Sequence, residues 1–137
     1  MKKFLSLFMT ILVCTSMILP TYASNEGIAP CYNNTASASA DFSINDTGLA
    51  IITLSYMGYP DYATDATITC KIEKKVLWWW SDVDDASWVD NVTGSYNVVQ
   101  HEYQLSKTGK YRLSYEFVIN GTAGASDVIS STIEDEY

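Results

Sequence analysis

Basic residues are scarce in this chain, and histidine, proline and cysteine are scarcer. Eight Lys and Arg stand against sixteen Asp and Glu over 137 residues, a formal charge of −8. Such a surface repels phosphate backbones, which argues against nucleic acid, and against an anionic membrane, as partner. His101 is the one histidine and no CxxC pair occurs, so there is no Cys/His cluster with zinc-site spacing. No segment sustains a helical period, which argues against a helical bundle or a βαβ fold. The length allows one domain and leaves no room for a large multidomain enzyme.

What is present begins with an export signal. Lys2 and Lys3 precede an apolar stretch over 4–19, and Thr21, Tyr22 and Ala23 form a small-x-small-like cleavage site, so 1–23 reads as a signal peptide. The apolar run falls short of the roughly 20 residues a spanning helix needs, and Pro20 follows it, which disfavours a membrane anchor. Val13 ahead of Cys14 disfavours a lipoprotein site, where a small residue is usual. No second long apolar segment follows, so no membrane span is expected in the mature chain. Cleavage leaves 114 residues with a charge of −10, and two cysteines, Cys31 and Cys70. In an oxidising compartment these are expected to pair, closing a loop worth roughly 3–4 kcal/mol in the chain-entropy model. The alternative is two separate buried thiols.

Residues 24–34, with Gly27 and Pro30, read as an extended lead-in, and 35–137 as the folded domain. Apolar residues alternate with polar ones over 35–44, 49–56 and 66–73, the period-two signature of half-buried strands, and Cys70 falls on the inward face of the third. Lys74 and Lys75 interrupt the pattern. An extended run over 76–80 then leads into an acidic loop over 81–85. Further strands are expected near 96–105, with Val99, His101, Tyr103 and Leu105 on one face, then at 111–119 and 127–133, before a solvated tail over 134–137. The expected fold is all-β: a single antiparallel, immunoglobulin-like β-sandwich of six to eight strands.

Leu105, Gly109 and Tyr111 have the spacing that opens a late strand in immunoglobulin-like and fibronectin-type sandwiches. The spacing resembles a tyrosine corner, and that resemblance implies a hydroxyl bonded back to the backbone. Leu113 stands where an immunoglobulin domain has its second core cysteine, so that family's disulfide is not expected. Stretches 66–69, 88–90, 104–112 and 127–129 resemble a group of small exported proteins of Gram-positive bacteria. The resemblance implies a sandwich outside the cell, secreted from a Gram-positive bacterium. It carries no activity, no cofactor and no catalytic residue.

All four tryptophans, Trp78, Trp79, Trp80 and Trp88, lie within eleven residues. On a single strand Trp78 and Trp80 point one way and Trp79 the other, so one face is expected to carry an exposed indole. Exposed aromatic rings beside polar loops anchor sugars or protein partners; the competing reading puts two rings in the core and the others over the sandwich ends. Asp82, Asp84, Asp85 and Asp90 supply oxygens for calcium, but their spacing does not match an EF-hand loop. His101 has no neighbouring nucleophile motif. The reading is therefore a secreted, non-catalytic interaction module that contacts an unknown glycan or protein at the cell surface through its tryptophans. The alternatives are a structural surface or matrix subunit assembling through an edge strand, and a small hydrolase combining His101 with the acidic stretch.

Overall fold

The computed structural model describes residues 31–137; the expected signal peptide, its cleavage site and the start of the lead-in lie outside the described residues. Among the described residues seven strands follow one another without a helix: β1 (Thr35–Ile44), β2 (Leu49–Gly58), β3 (Ala63–Val76), β4 (Trp79–Thr93), β5 (Tyr96–Gln104), β6 (Lys110–Gly121) and β7 (Asp127–Glu136). They form two antiparallel sheets, β1-β2-β5 and β4-β3-β6-β7, the sandwich architecture expected from the alternation.

Period-two patterning does the work of assembly. Ile52, Leu54 and Tyr56 from β2 meet Ile68, Cys70 and Ile72 from β3 and Leu113, Phe117 and Ile119 from β6 in one core. Each large side chain buried this way is worth about 1.5–3 kcal/mol relative to exposure. The tyrosine corner forms: Tyr111 donates its hydroxyl to the Lys107 carbonyl, Leu105 is buried, and Gly109 takes a φ of +142° that an L side chain rarely adopts. Burial pushes the Tyr111 phenol pKa up.

At the opposite end Asp127 latches the lead-in to the domain. Its carboxylate accepts the Asn33 and Asn34 amides at 3.0 and 2.8 Å and the Thr35 hydroxyl at 2.9 Å. Burial alone would raise its pKa, but these donors favour the charged form and hold it below the usual carboxylate range. The buried Asn34 lies over Gly121, where any β-carbon would collide with it.

Several local expectations are corrected. Lys74 and Lys75 do not interrupt a strand; both belong to β3. The acidic stretch is no loop but part of β4, bulged where one residue of β3, Ile72, opposes four of β4, Val83, Asp84, Asp85 and Ala86. The bulge needs Asp85 at φ +57° and turns Val83 and Ala86 toward the core. The tail is not free either: β7 runs to Glu136, Asp135 accepts the Ile44 amide, and Tyr137 packs against the core.

The expected disulfide is absent. Cys31 is an exposed free thiol and Cys70 a buried one. Asn34 packs beside Gly121, which pairs with Ala63, and Cys70 lies seven residues further along β3, roughly 23 Å at strand rise. Three residues of chain between Asn34 and Cys31 span at most about 11 Å, too short to bring the pair within the roughly 7 Å that a bridge requires.

Candidate functional site

The tryptophan run does not lie on one strand. β6 stops supporting β3 at the Lys74–Tyr111 pair, and the β3–β4 hairpin continues alone through Lys75–Trp80 and Val76–Trp79. It reverses at Leu77 and Trp78. Leu77 sits at φ +58° while Trp78 does not share the positive-φ region, the pattern of a type II′ hairpin turn, which ordinarily takes glycine first. Leucine there is strained, and its side chain gains little burial in exchange, being 73% exposed.

Trp78 and Trp79 crown this apex at 82% and 45% exposure, ring centroids 5.2 Å apart and planes at 78°. Trp80 is held at the root. Arg112 and Lys75 lie over its ring at 4.6 and 5.6 Å from the centroid, a cation–π arrangement. Arg112 in turn donates to both Glu73 oxygens at 2.7 and 3.2 Å, and Lys71 bridges Glu73 and Asp82 at 3.5 and 2.7 Å. The Arg112 hydrogen bond is the main reason that the Glu73 carboxyl stays below its ordinary pKa, against the opposing effect of burial. This network braces the hairpin below its apex.

Trp88 is elsewhere. It projects from β4 at the margin where the two sheets meet, stacks on His101 of β5 at 4.8 Å and 16°, and meets Tyr103 edge-on at 6.3 Å. His101 Nε2 lies 2.7 Å from Asp90, so this pair ties β5 of one sheet to β4 of the other. The four tryptophans expected to form one contact surface are therefore divided among apex, root and inter-sheet seam.

The Asp90–His101 distance meets the first requirement of an acid–base pair. Cys70, paired in register with Trp88, is buried, and burial followed by the Asp90 charge pushes its thiol up to about 12. The acidic residues considered for calcium do not converge: Asp82 faces Lys71, Asp90 faces His101, and no cluster of three metal-ligating side chains occurs among the described residues.

Two concavities flank these features. A shallow trough of about 370 Å³ crosses the four-stranded sheet where Thr69, Ser87, Ser114 and Ser130 are small. A cleft of about 210 Å³ under the hairpin is lined by Val76, Val83, Tyr103, Leu105, Lys107 and Asp84 among others. Lys74, Asp82 and Tyr111 complete the titratable lining of the cleft, while the trough carries Lys71, Tyr115 and Glu116. Sequence reasoning identified the tryptophans but missed Leu77 and the two lysines behind it. The signal was available as two lysines leading directly into an uninterrupted apolar five-residue run.

No family model matches the chain, and no curated protein matches it. Among solved structures, wild-type OgpA from Akkermansia muciniphila superposes on 80% of the chain with a TM-score of 0.42 and 10% identity. Catalytically inactive OgpA in complex with an O-glycopeptide substrate, glycodrosocin, gives 0.41 at the same identity. The chain spans 32% of the length of either OgpA chain, and a likeness this loose transfers neither a residue role nor an activity.

Proposed function

We propose that this protein is an exported, non-catalytic binding module whose contact element is the apex of the β3–β4 hairpin, with Trp78 and Trp79 as anchors. One observation carries the reading: two large indoles stand in solvent at the end of a braced hairpin instead of filling the core. Indoles exposed on a stiff support bury much area on contact and lose little conformational freedom doing so. The export half of the reading rests on the charged start, apolar run and small-residue site over 1–23. The partner is a component of a cell surface.

A binding screen of the mature domain on whole cells, cell-wall glycans and membranes tests this, with Trp78→Ala and Trp79→Ala compared to wild type. A central aromatic anchor is typically worth at least about 2 kcal/mol, so each variant is expected to bind about 30-fold more weakly or worse. Both variants binding as tightly as wild type would remove the apex from the contact.

A further inference from the structure

Accepting that the apex is the contact element, we infer that its partner is a lipid surface carrying anionic headgroups, into which Leu77, Trp78 and Trp79 insert. Three features of the hairpin point there. The apex is convex: beyond the Lys74–Tyr111 pair it overhangs the sheet by three residues, roughly 10 Å at strand rise. Interfacial elements bury their apolar side about 5–10 Å into the boundary between headgroups and acyl chains, a depth this overhang spans. The exposed set of Val76, Leu77, Trp78 and Trp79 is aliphatic and indole, the composition that partitions into that boundary. A sugar-stacking platform needs ring faces that open together, whereas these two indoles stand at 78° to each other. Acyl chains deform around a convex tip.

The third feature is charge. Every cation among the described residues lies at this end: Lys71, Lys74, Lys75, Lys107, Lys110 and Arg112. The two deeper ones, Lys71 and Arg112, are spent on Asp82 and Glu73. The four nearest the apex, Lys74, Lys75, Lys107 and Lys110, form no ion pair among the described residues, and Lys74 donates to the Thr108 carbonyl. They sit at the base of the overhang, level with lipid phosphates when the tip is inserted. Carboxylates flank these lysines: Lys110 stands opposite Glu136 across the β6–β7 pair, and Asp84 lines the cleft with Lys74 and Lys107, so the cations nearest the tip are Lys74 and Lys75 on the hairpin itself. At physiological ionic strength the screening length is about 8 Å, so headgroups at an inserted tip are felt chiefly by Lys74 and Lys75 at its base. The formal charge of −8 does not register where the cations sit.

The test uses the mature domain with vesicles of phosphatidylcholine alone and with 30% phosphatidylglycerol (roughly the charge density at which surface cations count), read by co-sedimentation and tryptophan emission. Expected are binding to the anionic vesicles with a blue shift, weakening as salt rises, and loss with Leu77→Asp. Lys74→Gln combined with Lys75→Gln is expected to weaken binding about 30-fold, from roughly fivefold per cation. Far-UV circular dichroism and urea midpoints confirm that each variant folds. Binding of wild type to glycans or cell-wall protein through Trp78 and Trp79, with none to vesicles, overturns the lipid assignment and leaves the apex as contact element. Vesicle binding that persists in Leu77→Asp and in Trp78→Ala overturns both.

Discussion

Replacing Leu77 by glycine is expected to make the domain more stable and less able to bind, and the size of the first effect follows from the turn. A non-glycine residue in the left-handed region costs about 1–2 kcal/mol, which glycine does not incur. Glycine's larger unfolded-state freedom takes back about 0.5–1 kcal/mol. Little burial is lost, because the Leu77 side chain is 73% exposed. The net is a stabilisation of about 0.5–1 kcal/mol, or a rise in Tm of about 2–6 °C for a domain of this size. Trp78→Gly is the internal control: Trp78 has no positive φ to relieve, so the same change one position on is expected to destabilise by about 0.5–1 kcal/mol. Urea unfolding followed by circular dichroism reads both. Leu77→Gly destabilising as much as Trp78→Gly would refute the claim of strain at the apex. Opposite signs, with Leu77→Gly also losing vesicle binding, mark a residue kept for contact at the expense of stability.

Three further outcomes test the frame that holds the apex. Asp127→Asn replaces an acceptor of three hydrogen bonds by a group with one acceptor oxygen and two unwanted donors, and is expected to cost about 2–4 kcal/mol at pH 7. Because the folded carboxyl is held below its unfolded pKa of about 3.9, that stability is present above this value and lost as pH falls through the folded pKa. The gap between wild type and Asp127→Asn therefore narrows below about pH 4; an equal gap at pH 7 and pH 3 would show that the latch is not ionic. Tyr111→Phe removes the hydroxyl from the Lys107 carbonyl and is expected to cost about 1 kcal/mol, so an unchanged urea midpoint would count against the corner as a stabilising device. Native thiol labelling should modify Cys31 alone, with Cys70 reacting only on unfolding. Finding no free thiol would restore the disulfide and contradict the geometry of β3.

Much of the sandwich was legible in sequence because burying one face of a strand imposes a two-residue period. Residues 66, 68, 70 and 72 and residues 113, 117 and 119 all face the core as the alternation requires. Tyr111 was legible for a different reason: a glycine two residues before it and a leucine six before define a corner locally. The hairpin reversal left no such mark. Leu77 and Trp78 contain none of the glycine, asparagine, aspartate or proline that announces a turn, so 76–80 read as continuous strand. The bulge in β4 was hidden because acidic residues suggest a loop, while the structure keeps the strand paired on both sides of it.

Taken alone, the sequence determined the fold class, the inward faces of the best-patterned strands, and the crowding of four tryptophans beside an acidic stretch. Tertiary structure decided where those tryptophans go: two to the apex, one under Arg112, and one against His101 on the other sheet. It also separated Cys31 from Cys70, joined Asp90 to His101, and gathered all six cations of the described residues around one end. The division has a physical basis. A strand's faces follow from the covalent geometry of successive residues. Which strands become neighbours, and how far a hairpin outruns the strand beside it, depend on pairings between distant residues that leave no periodic trace in the chain.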